Sequence, residues 1–238
     1  MSTRKGAVDV CGVAITSPTR VVFTIDGRDV TKLDVARYVE ATAPLMLPHV
    51  RGRPVTIVRA REGGAGASFF QKHVMKGMPA SIHAMEVVDR SGPTQCLTVH
   101  DAAGLVGLVK MSALEFHVWG AKEDDCETPD RLVFDLDPAE DVAWPSVVRA
   151  ARHVRALLAA DDIESFVKTT GGKGLHVVAP LDVSDAKKSA SWHDVAAYAE
   201  RISTAMIDDA PDAYTSNMKK ASRAGKIFLD FARNMRGA

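Results

Sequence analysis

The sequence is short of cysteine, of long apolar runs and of net charge, and each shortage excludes a class of protein. Its three cysteines, Cys11, Cys96 and Cys126, form no Cys-x-x-Cys pair, so we expect reduced thiols rather than a disulfide framework or a cysteine zinc site. No run of about 18 apolar residues is present, so we expect no membrane span. The N-terminal stretch MSTRKGAVDVCG lacks the apolar core of a signal peptide. We therefore expect a cytoplasmic protein.

Although the 30 basic and 30 acidic residues balance, they are unevenly distributed. Residues 49–78 and 211–238 each contain six Lys or Arg, against one and two acids, whereas residues 123–141 contain nine acids and one Arg. Two basic segments around an acidic centre are typical of a protein that binds polyphosphate and also holds cations. Solvated loops of either sign remain an alternative explanation for any one of these segments.

Hydrophobic patterning predicts an α/β protein. A capping box at Thr31–Asp34 predicts a helix to about Ala43. Apolar residues at helical spacing predict two more helices, around 144–158 and 195–206. Residues 80–118 read as short β-prone runs separated by turns, and residues 61–66 as a loop. The predicted strands are RVVFTI, RPVTIVRA, ASFFQKH, RLVFDLDP, SFVKTT, LHVVAPL and KIFLDFAR.

Two aspartates lie inside the apolar segment RLVFDLDP. Side chains alternate along a strand, so Leu132, Phe134 and Leu136 share one face, while Asp135 and Asp137 share the other, roughly 7 Å apart. Two ionised carboxylates on one face repel each other unless a cation lies between them, and Mg²⁺ or Mn²⁺ suits their hard oxygen atoms. Alone, the pair is also compatible with a helix N-terminus or a surface strand.

A third acid and a glycine-rich turn extend this pattern. In KIFLDFAR, Asp230 projects from the face opposite the apolar residues, where it is placed to complete a two-metal site for phosphoryl transfer. The segment TTGGKGLH is not a Walker A loop, but its adjacent glycines let backbone N–H groups approach an anion, and Lys173 and His176 add donors. Alone, this segment also fits a tight hairpin with a core histidine. Together, the three features predict metal ions beside a polyphosphate cradle.

The segments PDRLVFDLDP, SFVKTTGGKGLHVVAPL and KIFLDFARN, in this order, resemble the polymerase domain of bacterial ATP-dependent DNA ligase D, of the archaeo-eukaryotic primase superfamily. TKLDVARYVEA, LPHVRGRPVTIVR, FFQKH and EFHVWG are also similar to that domain. The resemblance implies a primase-type α/β fold, with an αβ layer and an RRM-like sheet facing each other across the active site. We expect a flexible arm over residues 1–19 and one polymerase/primase domain over residues 20–238.

Matching positions imply the site residues. Those that match metal-binding catalytic acids are Asp135, Asp137 and Asp230. Those that match nucleotide contacts are His117, Thr170, Lys173, His176, Lys220, Arg223 and Arg233, with Thr170 replacing the more common serine. Those that match DNA contacts are Lys32, for a 5′-phosphate, and Phe69, Phe70 and Lys72. Strand alternation predicts that one of the two phenylalanines is in the core, and Trp119 is expected to pack inside.

The resemblance also implies an activity, namely template-directed nucleotide addition at DNA gaps or broken ends with a 5′-phosphate, in non-homologous end joining. Ribonucleotides are often preferred in the family, and two divalent ions, Mn²⁺ or Mg²⁺, are the expected cofactors. The expected partners are Ku and a separate DNA ligase, since the KxDG motif of a ligase is absent. The expected location is the bacterial nucleoid rather than a membrane.

Two rival functions remain open. The family continues beyond the segment ARN with further basic residues, whereas this sequence ends at Ala238, so we expect a domain that is short at its C-terminus. A catalytically impaired module that binds DNA ends is therefore one alternative. A metal-dependent phosphohydrolase or nuclease is the other, because the same acids would serve it, although a triphosphate cradle would have no use there.

Overall fold

The structure, a computed structural model, describes residues 6–59, 69–89, 92–185 and 187–238. The chain divides into two compact units, Met1–Asp124 and Asp125–Ala238. No Pro-, Gly- or Ser-rich linker marks this boundary in the sequence, and the family resemblance implies a single domain over 20–238. Among the described residues, no helix combines the length and the apolar character needed to cross a membrane.

The first unit combines two helices with several antiparallel strands within its described residues. Its elements are β1 Val8–Val10, β2 Val13–Ile15, β3 Val21–Ile25, β4 Arg28–Thr31, α1 Lys32–Val50, β5 Val55–Arg59, β6 Phe69–Gln71, β7 His83–Asp89, β8 Gly92–Thr98, α2 Ala102–Lys110 and β9 Ala113–Val118. Strands β1 and β2 form one hairpin, and β3 and β4 form another. The larger sheet has the order β6-β5-β8-β7, with β9 also paired to β5.

The N-terminal residues differ from the predicted flexible arm. Residues 1–5 lie outside the described residues, but β1 and β2 form a hairpin whose Val10, Val13 and Ile15 are buried in the core of the first unit. The prediction of an arm over 1–19 is therefore wrong for this hairpin. Each strand is only three residues long, too short for an alternating pattern to stand out in the sequence.

Helix α1 begins as predicted but ends later. The capping box is present, since Asp34 N donates to Thr31 Oγ1 over 3.2 Å and Thr31 N donates to Asp34 Oδ2 over 2.9 Å. The helix continues past Ala43 to Val50 although Pro44 and Pro48 lie inside it. Proline in a helix interior costs about 3 kcal/mol. Burial of Ala43 and Val50 in the core offsets part of that cost.

Helix α2 was not predicted, because residues 80–118 were expected to contain only short strands and turns. Its sequence, AAGLVGLVK, has no polar side chain before Lys110, and Gly104–Val109 are all buried. A helix that is buried all round has no amphipathic period to detect. Its N-cap is nevertheless ordinary, since Asp101 Oδ1 accepts a 2.8 Å hydrogen bond from Gly104 N.

The second unit is a sheet covered by two helices. Its elements are β10 Arg131–Pro138, α3 Trp144–Ala160, β11 Phe166–Thr169, β12 Leu175–Pro180, α4 Trp192–Asp209, β13 Tyr214–Thr215 and β14 Ile227–Asp230. Its described residues give the strand order β11-β12-β10-β14-β13, antiparallel except for β13 and β14. All these elements except β13 were predicted. The last strand ends at Asp230 rather than Arg233, because Phe231–Asn234 form a 3-10 helix.

Alternation along β10 separates the core from the site. Leu132, Phe134 and Leu136 are at most 3% exposed and share one hydrophobic cluster with residues of α3 and α4. Burying side chains of this size stabilises the fold by about 1.5–3 kcal/mol each. Asp135 and Asp137 therefore project from the opposite face of the sheet, as the sequence pattern predicts.

Candidate active site

Strand register aligns four polar residues across the sheet of the second unit. Asp135 on β10 lies opposite His176 on β12 and opposite Asp230 on β14. His176 in turn lies opposite Lys168 on β11. Directly opposed residues project from the same face of a sheet. Lys168, His176, Asp135 and Asp230 therefore form one row on the face turned away from α3 and α4, and Asp137 shares that face.

Asp135 is held between two basic groups. Its Oδ1 is 3.4 Å from His176 Nε2, and its Oδ2 accepts a 3.2 Å hydrogen bond from Arg233 Nη2. Burial by itself would raise the pKa of Asp135, but the hydrogen bond and charge of His176, followed by those of Arg233, outweigh it and hold the pKa below its ordinary value. Asp135 is therefore a carboxylate at neutral pH.

Asp137 is more exposed and also lies between two cations. Lys173 Nζ is 3.7 Å from its Oδ1, and Arg223 Nη1 is 3.5 Å from its Oδ2. Arg223 is itself anchored, because its guanidinium carbon lies 3.5 Å from the centre of the Phe228 ring and its Nη2 donates to Met218 O over 2.8 Å. Arg223 is therefore held in place beside Asp137, whereas Lys173 has the more flexible side chain.

Asp230 experiences the opposite electrostatic effect. Burial, followed by the negative charge of Asp135 across the strand pair, raises the pKa of Asp230 above its ordinary value. Two carboxylates opposed on neighbouring strands are costly to ionise together. A divalent cation between them would remove this cost.

The three acids fit a divalent metal in chemistry and in placement on the sheet. Carboxylate oxygens are the hard ligands that Mg²⁺ and Mn²⁺ prefer. Within the described part of the chain, no group of three or more His, Cys, Asp or Glu side chains is already arranged around a common metal position. Instead, Asp135 and Asp137 are paired with basic groups, and a metal ion would have to displace these groups from the carboxylates.

The turn between β11 and β12 brings Lys173 to the site. Gly171 has a φ of +82°, in the left-handed region that favours glycine. Gly174 lies so close to β10 that a Cβ atom there would overlap the carbonyl oxygen of Leu136. Thr170 Oγ1 accepts from Gly172 N and donates to Gly174 O, each over 3.4 Å, which closes the turn. The glycines therefore let the turn press against the strand that carries both aspartates.

Sequence reasoning missed two residues of this site. Asn234 is 2% exposed, and its amide pairs with the backbone of Val133, accepting from N over 2.8 Å and donating to O over 2.7 Å. This contact extends the pairing of β10 beyond the end of β14 and fixes the short helix that carries Arg233. The matched segment ARN was the only sequence signal for it.

Lys168 is the second missed residue. Burial, followed by the positive charges of Arg131 and Arg233, lowers the pKa of Lys168. Its position one residue before Thr169-Thr170 in SFVKTT places it on a predicted strand, but only the register of β11 with β12 shows that it shares a face with His176.

Lys220, which was predicted to contact the nucleotide, is exposed on the 3-10 helix Lys220–Ser222.

The predicted DNA contacts lie in the first unit. Phe69 and Phe70 are 38% and 66% exposed, so the expectation that one of them is in the core is wrong. Both belong to β6, a three-residue strand at the edge of the described sheet. Lys72, directly after this strand, is exposed. The loop predicted at residues 61–66 lies outside the described residues.

The remaining residues of the first unit are more enclosed. Lys32 is the first residue of α1 and is 5% exposed, so little of its side chain is open to a ligand. His117 on β9 has its Nε2 3.0 Å from Glu115 Oε2, and its ring meets the ring of Phe70 edge-on at 5.5 Å between centres. Trp119 is 7% exposed, which confirms that it packs inside.

Comparison with known proteins supports the family resemblance. The model of the LigD primase-polymerase domain matches residues 31–238. The multifunctional non-homologous end joining protein LigD of Pseudomonas aeruginosa is 34% identical over 227 residues, which are 95% of this chain and 26% of that protein. The protein of the same name from Mycolicibacterium smegmatis is 34% identical over 224 residues, which are 93% of this chain and 28% of that protein.

Among solved structures, the polymerase domain of Mycobacterium tuberculosis ligase D in complex with DNA matches with a TM-score of 0.83 and 32% identity, covering 94% of this chain and 79% of that one. This match confirms the predicted α/β fold of primase type. The chain spans about a quarter of the length of the two multifunctional relatives. The chain therefore corresponds to only one part of those proteins, and the activities of the whole proteins are not assigned to it.

Proposed function

The chain belongs to the LigD primase-polymerase family, and from this premise we propose that it is a template-directed nucleotidyltransferase that extends DNA at gaps or broken ends in non-homologous end joining. The observation that carries this proposal is that Asp135, Asp137 and Asp230 share one sheet face, beside the hairpin turn that holds Lys173. Three acids next to a basic, glycine-rich turn suit a triphosphate and its divalent cations.

Asp135, Asp137 and Asp230 would hold two divalent ions, Mn²⁺ or Mg²⁺. When bound, such ions lower the pKa of an attacking hydroxyl, here the 3′-hydroxyl of the primer, and neutralise the charge of the pyrophosphate leaving group. The raised pKa of Asp230 supports this assignment, because a carboxylate that is costly to ionise alone gains most from a nearby cation. Until a metal ion binds, the contacts with His176 and Arg233 keep Asp135 ionised.

The basic partners of the acids would bind the triphosphate. His176 and Arg233 now contact Asp135, and Lys173 contacts Asp137. Once a cation occupies the carboxylates, these donors become available to phosphate oxygens, where negative charge develops during transfer. Thr170, Lys220 and Arg223 would add donors around the same group. No nucleophilic side chain is needed, because the primer hydroxyl attacks the α-phosphate directly and pyrophosphate leaves.

The first unit would contribute the DNA contacts. Exposed aromatic side chains such as Phe69 and Phe70 serve as stacking surfaces for bases, and a neighbouring lysine such as Lys72 suits a phosphate. The assignments of Lys32 to a 5′-phosphate and of His117 to the nucleotide rest on the family resemblance alone, and Lys32, at 5% exposed, would first have to become accessible. The relatives are named as non-homologous end joining proteins. The proposed partners are Ku and a separate DNA ligase, and the proposed location is the bacterial nucleoid in the cytoplasm.

A primer-extension assay tests the proposal. A labelled gapped duplex with a 5′-phosphate is incubated with Mn²⁺ and either ribonucleotides or deoxyribonucleotides, and DNA binding is measured in parallel by fluorescence anisotropy. We expect extension by the unmodified protein, and loss of extension with retained DNA binding for Asp137→Ala. The matched control is Asp208→Ala, an exposed acid near the end of α4.

Three outcomes would decide against the proposal. If Asp137→Ala extends the primer at the rate of the unmodified protein, the acids take no part in the reaction. DNA binding without extension by the unmodified protein would favour the end-binding module. Shortened strands in the presence of metal without nucleotides would favour a nuclease.

A further inference from the structure

The row of polar residues on the second unit ends at Lys168. Lys168 lies directly opposite His176 and therefore on the same sheet face as Asp135 and Asp230. It is on β11, the edge strand of the sheet, and is exposed. Part of the residue is therefore open to solvent, although its ammonium group is enclosed enough for burial to lower its pKa.

Among the residues that the structure describes, no acidic side chain is paired with Lys168. Within the described residues its side chain makes no hydrogen bond and lies within 4.0 Å of no carboxylate, whereas Lys173, His176, Arg223 and Arg233 each have such a partner. The strongest charges acting on it are the like charges of Arg131 and Arg233, which outrank the attraction of Asp135. A lysine held among cations with no acid of its own is positioned for an anion from outside.

A second unsatisfied donor lies beside it. Among the described residues, Arg233 Nε is buried and has no hydrogen-bond partner, although Nη2 of the same side chain is bound to Asp135. Leaving a buried donor unpaired is unfavourable. Arg233 follows β14 in the short helix Phe231–Asn234, so the site holds a second cationic side chain whose hydrogen-bonding capacity the described residues do not fill.

The balance of charge supports the same conclusion. This face carries three carboxylates, and the cations paired with them or next to them are Lys168, Lys173, Arg223 and Arg233. If divalent ions occupy the carboxylates, all four cations remain for the substrate. Such a concentration of charge suits a polyphosphate.

We propose that Lys168 is a further substrate-binding residue of this site and contacts the triphosphate of the incoming nucleotide together with His176. Its place on the hairpin β11–β12 favours the nucleotide over a DNA phosphate, because the turn of the same hairpin carries Thr170 and Lys173. Lys168, His176 and Lys173 then bind one anion along the length of this hairpin. This inference rests on the proposed function, since it requires a nucleotide at the site.

The test is to measure nucleotide and DNA affinity separately. Lys168→Met removes the charge and retains the length of the side chain, and Lys168→Arg retains the charge. Binding of a ribonucleoside triphosphate is measured by equilibrium dialysis with Mn²⁺, and binding of a gapped duplex by anisotropy. Lys188→Met is the matched control, because Lys188 is 85% exposed and is paired with Asp185 at 3.4 Å.

We expect Lys168→Met to weaken triphosphate binding about ten- to hundredfold, the range of one charged hydrogen bond. DNA affinity and the melting temperature should be unchanged, KM for the nucleotide should rise more than kcat falls, and Lys168→Arg should restore most of the affinity. Unchanged triphosphate affinity of Lys168→Met, or a loss confined to DNA binding, would overturn the inference while leaving the proposed function intact. If the unmodified protein neither binds a nucleotide nor adds one to DNA, the proposed function fails and the inference fails with it.

Discussion

Replacing Gly174 by Ala should damage the site through the backbone of β10. A Cβ atom at this position would overlap the carbonyl oxygen of Leu136 and lie 3.3 Å from its carbonyl carbon. Because the obstacle is backbone, no side-chain rotation can relieve the contact. Leu136 lies between Asp135 and Asp137, so any shift that makes room moves the two carboxylates or the turn that faces them.

The magnitude follows from the cost of adding a methyl group to a closely packed region. Such changes cost about 1–3 kcal/mol, which for a chain of this size lowers Tm by roughly 2–12 °C. A displacement of about 1 Å of catalytic groups lowers the rate about a hundredfold. Thermal unfolding followed by circular dichroism measures the first effect, and single-nucleotide addition to the gapped duplex measures the second.

Gly172→Ala is the matched control for unfolding, because a Cβ atom there would meet only Thr170 Oγ1, at an ordinary 3.7 Å. Its backbone also has no positive φ. Its Tm should therefore stay close to that of the unmodified protein. If Gly174→Ala unfolds at the same temperature as Gly172→Ala and adds nucleotides at the unmodified rate, the close approach of the turn to β10 does not matter and the reasoning is refuted.

Three further predictions concern charge and DNA binding. Asp230→Asn should raise Tm at neutral pH while abolishing nucleotide addition, because the raised pKa of Asp230 means that its ionisation opposes folding as the pH rises through that pKa. Asp135→Asn should lower Tm at neutral pH, because the ionised form of Asp135 stabilises the fold. This difference in Tm should disappear as the pH falls through the lowered pKa of Asp135, below 3.8, where the carboxylate becomes protonated. Tm measured against pH checks both, and a Tm of Asp230→Asn below that of the unmodified protein would contradict the first. Phe70→Ala should leave Tm unchanged, because the ring is 66% exposed, and should weaken DNA binding by about 1–3 kcal/mol through loss of stacking. Anisotropy with the gapped duplex measures this, and unchanged affinity would exclude Phe70 from the DNA contacts.

The face that carries the site follows from local alternation and was therefore predictable. RLVFDLDP alternates apolar and acidic residues, and a strand can bury only one of its faces against α3 and α4. The pairing of β10 with β14, which sets Asp230 opposite Asp135, is a long-range contact that periodicity cannot supply. From the sequence, the three acids were expected to share a metal site, but the pairing of these two strands was not predicted. The position of Lys168 next to His176 likewise depends on register.

The errors have physical causes of their own. Helix α2 is enclosed on all sides, so burial erased the amphipathic signal that marks α3 and α4. Pro44 and Pro48 favour an earlier end of α1, but tertiary packing keeps the chain helical to Val50. Phe69 and Phe70 are both exposed on the short edge strand β6, and nothing in the letters FFQ shows whether either face of that strand is covered.

The central claim is that Asp135, Asp137 and Asp230 bind divalent metal together. Anomalous diffraction from crystals grown with Mn²⁺ and a non-hydrolysable nucleoside triphosphate tests it most directly. We predict manganese peaks coordinated by all three carboxylates, with Lys173, His176 and Arg233 released from the acids and directed at the phosphates. Manganese bound elsewhere, with Asp135 still paired to His176 and Arg233 as in the present structure, would contradict the account.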